Sequence, residues 1–186
     1  MQARAFEGRF TNAPIDAAIA FRHIMTAMAR PGTIETVTGT SPPAPLSVAA
    51  GCLILCLCDC DTKVFLAPSH DALDVRDWIS FHTGAPFADA NDAHFAIGRW
   101  DTLPLPAFSI GTPEYPDRST TLVVESASKS HEGAVLTGPG IESNTVLSLP
   151  EIRAFQRNAG LFPLGLDFFF TSGAHLAALP RTTKVS

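Results

Sequence analysis

The sequence contains few charged residues and no long uninterrupted apolar span, and both shortages limit what the protein can be. Charged side chains make up 17% of the 186 residues, whereas hydrophobic ones make up 46%. No apolar span reaches the roughly 18 residues of a membrane helix, and residues 1–10 lack the apolar core of a signal peptide. We therefore expect a cytoplasmic protein without a membrane segment. The low charge content also predicts that a partner covers some apolar surface.

The sequence also lacks the positive charge of a nucleic-acid-binding protein, since its formal net charge is −5. Proteins that bind nucleic acids neutralise phosphates with clustered lysine and arginine. We therefore expect no nucleic-acid partner. The length fits one domain, spanning residues 1–186, that is long enough to bury a sizeable core.

Cysteine is scarce and confined to one segment, at positions 52, 56, 58 and 60. Such clustering does not resemble the spread framework of a disulfide-rich protein. In a helix, Cys52, Cys56 and Cys60 would share a face over about 12 Å. In a strand, Cys56, Cys58 and Cys60 would span about 13 Å. Zinc needs each sulfur at about 2.3 Å, so we predict core cysteines and no metal site.

Apolar spacing and turn residues predict helices and strands that follow one another along the chain. The almost wholly apolar segment from Leu46 to Cys58 predicts a buried helix. A Ser148–Glu151 capping box predicts another helix start, and Ser69 or Asp71 is expected to cap a third helix. Helices are predicted at 13–30, 46–58, 71–81 and 148–159, and strands at 33–37, 62–67, 94–98, 120–125 and 134–137. This alternation is typical of a layered α/β or α+β fold.

The segment 162–185 predicts a buried hairpin followed by a polar tail. Its three consecutive phenylalanines, at 168–170, are too continuous for a strand with one wet face, so we expect cover on both faces. Residues 172–175 can form the turn and 176–179 the second strand. After Pro180, the basic residues Arg181 and Lys184 can bind phosphate groups or solvate a loose tail.

No strong catalytic motif is present. The residues from Ser126 to Lys129 match the S-x-x-K pattern of acyl-transferring serine enzymes, but the supporting motifs are absent, and a loop between strands explains them better. The Gly138-Pro139-Gly140 segment can approach a phosphate, yet its proline has no N–H to donate. We interpret it as a tight turn. The six histidines are scattered without metal-ligand spacing.

Two pairs of polar residues stand out as candidates for binding. Asp59 and Asp61 can point to one side of an extended chain and bind a cation or a hydroxyl group. They can equally accept backbone N–H bonds in a turn. His82, followed by Thr83, lies at the predicted end of a helix, where the favoured charge of an imidazolium explains it without catalysis.

Several short motifs, taken in order, resemble those of one bacterial family. They are Phe21-Arg22-x-x-Met25-x-Ala27-Met28-x-x-Pro31-Gly32, Asp59-x-Asp61-Thr62-x-Val64, Phe81-His82-Thr83-x-Ala85-Pro86, Gly111-Thr112 with Thr121-Leu122, Leu136-Thr137-Gly138-x-Gly140-Ile141, Phe162-Pro163-Leu164-Gly165-Leu166-Asp167 and Leu179-Pro180-Arg181-Thr182-Thr183. Together they resemble the PhnH family, a subunit of the bacterial carbon–phosphorus lyase system, over most of the chain. The sequence departs from the family pattern at Cys60 and in the 172–175 turn.

The resemblance implies a single-domain layered α/β sandwich with a central mixed sheet, similar to the large domain of type I pyridoxal-phosphate-dependent transferases. It also implies a tendency to form homodimers. It does not imply the cofactor. Only Lys63, Lys129 and Lys184 could form a Schiff base, and no motif selects one of them. We therefore expect no cofactor.

The resemblance further implies partners and a reaction. Proteins of this kind assemble with the G, I and J subunits of the system. With G, I and L they are linked to the synthesis of ribose 1-phosphonate 5-triphosphate, in which an alkylphosphonate displaces adenine from ATP. No catalytic residue carries over from the family. The candidate ligand or interface residues are Asp59, Asp61, Thr62, His82, Thr83, Arg181, Thr182 and Thr183.

The sequence thus favours a non-autonomous subunit of a phosphonate-processing transferase complex. The alternative is an assembly scaffold that never contacts substrate. A stand-alone pyridoxal-phosphate enzyme would show cofactor absorbance and a lysine adduct, and we expect neither. Because Arg181 belongs to a family motif, a fixed structural or interface role is favoured over a solvated tail.

Overall fold

A six-stranded mixed sheet forms the centre of the computed structural model, which describes residues 7–126 and 130–186. Its strands are β1 (Glu35–Thr36), β2 (Val64–Leu66), β3 (Phe95–Arg99), β4 (Thr121–Glu125), β7 (Asp167–Ser172) and β8 (His175–Leu179). The strand order is β1-β8-β7-β4-β3-β2. Strands β2, β3, β4 and β7 are parallel, whereas β8 pairs antiparallel with both β7 and β1. The predicted α/β fold with a central mixed sheet is confirmed.

A smaller antiparallel sheet and the helices cover the two faces of the central sheet. The smaller sheet has the order β6-β5-β9, formed by β5 (Ala134–Thr137), β6 (Thr145–Leu147) and β9 (Lys184–Val185). The helices of the described residues are α1 (Ala13–Ala29), α2 (Val48–Leu57), α3 (Leu73–Thr83) and α4 (Ile152–Ala159). Short 3-10 turns occupy much of the proline-rich segment between β3 and β4. None of the helices described is long and apolar enough to cross a membrane.

Each face of the central sheet has its own apolar core, and the phenylalanine run contributes to both. Phe169 packs with α1, α2 and α3, whereas Phe168 and Phe170 pack with α4 and the smaller sheet. The relative exposures of Phe168, Phe169 and Phe170 are 2%, 4% and 0%. The prediction of a hairpin strand covered on both faces is confirmed, because alternate side chains of a strand point to opposite faces.

Helix α2 forms where the apolar run predicted it, and its cysteines are only partly core residues. Cys52 and Cys58 are buried, Cys56 is half-buried, and Cys60 is exposed in the turn that follows. Burial raises the pKa of the Cys56 thiol to about 11 and that of Cys58 to about 12. The prediction of a core position is wrong for Cys60, since the helix ends before it. Within residues 7–126 and 130–186, no group of three or more ligating side chains could hold a metal ion.

Two predicted helix caps are wrong, because their hydroxyl and carboxylate groups bind elsewhere. Helix α4 begins at Ile152, and Ser148 instead accepts a hydrogen bond from the Ser130 N–H at 3.2 Å. Helix α3 begins at Leu73 without a side-chain cap. Ser69 accepts from the Arg99 N–H, and Asp71 pairs with Arg76.

The Gly138–Gly140 turn forms as predicted and packs against the end of α1. The Ile141 N–H donates to the Gly138 carbonyl at 3.1 Å. Gly140 has a φ of 81°, and a Cβ there would clash with the Ala29 carbonyl oxygen, so the position requires glycine. The S-x-x-K motif lies mostly outside the described residues, because Ala127, Ser128 and Lys129 are not among them.

Candidate functional site

The amino ends of four parallel strands meet at one edge of the central sheet, and a polar cleft opens there. We call this the amino edge. The cleft has a volume of about 610 Å³ and lies where β3 and β4 begin, which is within the usual range of ligand pockets. Its lining residues are Asn91, Asp92, Ala93, His94, Phe95, Asp117, Arg118, Ser119 and Thr121. The cleft therefore offers a guanidinium, an imidazole, hydroxyl groups and two carboxylates.

One wall of the cleft is tied to the start of β2. Lys63 Nζ lies 2.6 Å from Asp92 Oδ2, and the Lys63 N–H donates to His94 Nδ1 at 3.3 Å. The His94 N–H in turn donates to the Lys63 carbonyl at 2.9 Å. Because Nδ1 accepts this bond, the neutral His94 ring carries its proton on Nε2. Lys63, one of the three candidate Schiff-base lysines, is thus paired with a carboxylate.

The other wall carries Arg118, whose guanidinium carbon lies 3.9 Å from the centre of the Tyr115 ring. Stacking on an aromatic face holds a guanidinium without using its hydrogen-bond donors. Next to it, the Ser119 hydroxyl lines the cleft and accepts a hydrogen bond from Arg181. This wall can therefore present a cation to an anionic ligand.

Arg181 is held inside the protein by an ion pair and two further acceptors. Its guanidinium donates to Asp167 and Ser119, and to the Pro116 carbonyl at 2.6 Å. The Arg181 and Asp167 side chains are only 12% and 21% exposed. The alternative of a loose, solvated tail is therefore wrong at Arg181. A role at a ligand site stays a prediction, and Arg181 would exercise it by fixing Ser119 and Pro116 beside the cleft.

The residues after Arg181 are built into the smaller sheet. Thr183 is buried, and its N–H donates to the Pro180 carbonyl at 2.9 Å. Its hydroxyl has no partner among the residues that the structure describes. Lys184 and Val185 pair with β5, and the Thr182 carbonyl packs against Gly138. The structure thus gives the whole tail a fixed position.

Asp59, Asp61 and Thr62 form a hydrogen-bonded turn before β2. Asp59 Oδ1 accepts from the Thr62 hydroxyl at 2.7 Å and from the Asp61 N–H at 3.0 Å. The Thr62 hydroxyl, followed by the Asp61 N–H, holds the pKa of Asp59 below its usual value. Of the two alternatives that the sequence left open, this is the turn.

His82 and Thr83 lie in the last turn of α3, which continues two residues beyond its predicted end at residue 81. The Thr83 hydroxyl donates to the Ile79 carbonyl at 2.7 Å and accepts from the Ala85 N–H at 3.0 Å. His82 Nε2 lies 3.3 Å from the Glu7 carbonyl oxygen. Gly84, at the end of this helix, packs against Cys60. The structure therefore brings the 59–62 turn and the 82–83 pair together, whereas Arg181 lies across the sheet, beyond the cleft.

Sequence reasoning missed a polar group at the opposite, carboxyl edge of the sheet. Arg99, Glu125 and Thr171 are register partners on β3, β4 and β7, and the Ser47 N–H donates to Glu125 Oε1 at 2.7 Å. Burial raises the pKa of Glu125, although hydrogen bonds with Ser47 and Thr171 act in the opposite direction. Polar residues that end apolar strands were the available signal, since ligands of parallel sheets often bind at this edge.

His70 belongs to this carboxyl edge and gives a testable pH dependence. It is 1% exposed, and its Nδ1 lies 2.9 Å from the Ser69 hydroxyl. Burial lowers the pKa of His70, and the Arg99 charge lowers it further, against the Pro45 carbonyl. The unfolded chain then binds the extra proton first, so stability falls as the pH falls below about 6.5.

We expect the stability difference between the wild type and a His70→Asn variant to narrow as the pH is lowered from 8 to below about 6.5. One titrating proton changes this difference in the free energy of unfolding by at most about 1.4 kcal/mol per pH unit. Urea unfolding at several pH values measures it. A difference that stays constant across this range would contradict the lowered pKa.

Comparison with known proteins points to a single family. The family described as "Bacterial phosphonate metabolism protein (PhnH)" matches residues 8–186. The chain is 39% identical over 196 residues to a Rhizobium meliloti (strain 1021) protein named alpha-D-ribose 1-methylphosphonate 5-triphosphate synthase subunit PhnH, covering 99% of this chain and 97% of that one. It is 31% identical over 175 residues to the putative C-P lyase subunit protein HtxG of Stutzerimonas stutzeri, covering 90% and 84%.

Proposed function

The chain belongs to the PhnH family of bacterial phosphonate metabolism proteins, and from this premise we propose that it is a non-autonomous subunit of a carbon–phosphorus lyase system. In that system it contributes to the synthesis of ribose 1-phosphonate 5-triphosphate from ATP and an alkylphosphonate. A phosphonate oxygen forms the new bond to the ribose carbon C1′, and the bond from C1′ to adenine breaks. The observation that carries the proposal is the near full-length match to a named subunit of such a synthase.

The amino-edge cleft is the part of the molecule that we propose for this reaction. Both substrates are anionic, and Arg118 can hold a phosphate or phosphonate oxygen while its plane stays stacked on Tyr115. The Nε2–H of His94 can donate to the same anion. Asp92 and Asp117 are suited to ribose hydroxyl groups. These groups bind and orient, which accounts for a subunit that needs others for turnover.

An exposed apolar side of α1 supports the presence of a protein partner. Ile15, Ile19, Phe21 and Met25 are 56%, 54%, 42% and 53% exposed. Exposed apolar surface of this kind marks protein interaction sites. We propose that the partners are the G, I and J subunits, with L acting in the same reaction, and that the isolated chain forms a homodimer. A cytoplasmic location is also proposed, and the four free cysteines support it.

Reconstitution tests the proposed function. The purified chain alone should release no adenine from ATP and methylphosphonate, whereas the chain with the G, I and L subunits should. Arg118→Ala should lower this turnover by about tenfold or more, the worth of one charge-assisted hydrogen bond, with the complex still assembled. Arg153→Ala, an exposed arginine on α4, is the matched control.

The scaffold alternative predicts a different result. If the protein only assembles the complex, Arg118→Ala should leave the turnover of the assembled complex unchanged, and only variants that prevent assembly should reduce it. Full turnover by the isolated chain would instead contradict its dependence on other subunits. Size-exclusion chromatography with light scattering on each sample reports assembly and tests the homodimer.

A further inference from the structure

A second cavity, separate from the amino-edge cleft, opens on the face of the sheet opposite α1, α2 and α3. Its volume is about 370 Å³, which is within the range of pockets for small organic molecules. It lies between α4, the 100–110 segment and the start of β7. Its lining includes Trp100, Ala154, Arg157, Asn158, Leu161 and Phe168. We call it the aromatic cavity.

One wall of the aromatic cavity is backed by a cluster of three rings, Trp100, Phe155 and Phe168, of which Trp100 and Phe168 belong to the lining. The Trp100 ring centre lies 4.9 Å from that of Phe155 and 6.3 Å from that of Phe168, and the last two are 5.0 Å apart. Phe155 and Phe168 are almost fully buried, so these two rings cannot turn outward. A bound aromatic ring would add edge or stacked contacts to this cluster and remove apolar surface from water.

Hydrogen bonds hold the cavity open in its present shape. The Asn158 side chain both donates to the Leu166 carbonyl and accepts from the Leu166 N–H, each at 2.8 Å. The Gly165 N–H donates to the Ile110 carbonyl at 3.0 Å. Two of the wall segments are thus tied to each other and to α4. A ligand would enter without the cost of ordering a loop.

The charged group that lines the cavity is Arg157. Its Nη2 lies 3.2 Å from Glu151 Oε1, and the two side chains are 69% and 48% exposed. A surface pair of this kind is weak, so the guanidinium is able to turn toward an anion at the mouth of the cavity. The amide of Asn158, which also lines the cavity, is already hydrogen-bonded to the backbone of Leu166. Arg157 is therefore the charged donor in the lining that can pair with an anionic ligand head.

We propose that the aromatic cavity binds a small organic anion that joins an aromatic or branched apolar group to a phosphonate or carboxylate head. The apolar group lies against Trp100 and Phe168, and the head pairs with Arg157. This site shares no lining residue with the amino-edge cleft. Its occupation does not depend on the proposed function, because the isolated chain contains the whole cavity.

Calorimetric titration of the isolated wild-type protein tests the site with four compounds: benzylphosphonate, phenylacetate, benzyl alcohol and methylphosphonate. We expect benzylphosphonate or phenylacetate to bind with a Kd at or below about 1 mM, and benzyl alcohol and methylphosphonate to bind at least about tenfold more weakly. Whichever of benzylphosphonate and phenylacetate binds more tightly identifies the preferred head group, phosphonate or carboxylate. Trp100 fluorescence should change in parallel, since the other of the two tryptophans, Trp78, is fully buried.

Variants locate the binding. Arg157→Gln should weaken the anion by about tenfold and leave benzyl alcohol unchanged, whereas Arg153→Gln, on the same helix but outside the cavity, should change neither. Leu161→Trp should block the mouth from a rim position that is 44% exposed, and Ala154→Leu should fill the interior. The Leu161 variant keeps the test valid if the interior change prevents folding.

Three results would overturn the proposal. The first is no saturable binding of either anion to the folded protein, and the second is equal affinity for benzyl alcohol. The third is binding that survives the Leu161→Trp change, which would place the ligand elsewhere. If no anion binds and Leu161→Trp instead disrupts assembly with the other subunits, the cavity receives an apolar side chain of a partner protein, and the proposal is also wrong.

Discussion

Arg181→Ala should lower the free energy of unfolding by about 3 kcal/mol or more, because it leaves the Asp167 carboxylate mostly buried without its counter-charge. The substitution also removes the donors to Ser119 and to the Pro116 carbonyl. Both acceptors lie beside the amino-edge cleft. Urea unfolding of the isolated protein, followed by circular dichroism, measures the loss.

Arg76→Ala is the matched control for this prediction. Arg76 also pairs with a carboxylate through two nitrogens, but it and Asp71 are 40% and 38% exposed. Exposed pairs contribute at most about 1 kcal/mol. If the two variants lose equal stability, then Arg181 is not the internal clamp that its contacts indicate.

Phe170→Ala should lower the free energy of unfolding by about 3–5 kcal/mol, because it removes a fully buried ring and leaves a cavity. The Phe170 ring lies 5.7 Å from Phe155 and 6.2 Å from Phe168, centre to centre. These neighbours belong to the core between the central sheet and α4, so the remaining rings cannot close the gap without moving the sheet. The midpoint of thermal or urea unfolding reports the change.

Phe81→Ala tests whether burial, rather than aromatic content, sets that cost. Phe81 is 57% exposed at the end of α3, and its removal should cost no more than about 1 kcal/mol. A Phe170→Ala variant that unfolds at nearly the same urea concentration as Phe81→Ala would contradict the assignment of Phe170 to a packed core.

Local sequence was a sufficient guide where one segment carries its own signal. The apolar run before Cys58 became α2, the phenylalanine run became β7, and the ordered motifs identified the family, which the match over residues 8–186 confirms. The likeness to the large domain of pyridoxal-phosphate transferases stays a prediction. Strands β6 and β9 were missed because their pairing with β5, rather than a local pattern of their own, makes them strands.

Local sequence failed where several segments compete for one group. Ser148 has a capping sequence, but its hydroxyl accepts a hydrogen bond from the N–H of Ser130 instead. Ser130 precedes β5 and Ser148 follows β6, so the bond joins the two ends of this strand pair. Sequence reasoning missed the polar group at the carboxyl edge for a related reason. Arg99, Glu125 and Thr171 are far apart along the chain, and only the strand register makes them neighbours.

The sequence by itself determined the family, the alternation of helices and strands, and the burial of the phenylalanine hairpin, because these depend on motif order and on apolar spacing. The tertiary structure alone decided the contacts of Arg181 and the positions of the amino-edge cleft and the aromatic cavity. Whether the Arg181 guanidinium pairs with a carboxylate or is solvated by water depends on which strand begins next to it. That neighbour is Asp167, on the far strand of the same hairpin, and it is set by the pairing of β7 with β8 and β4.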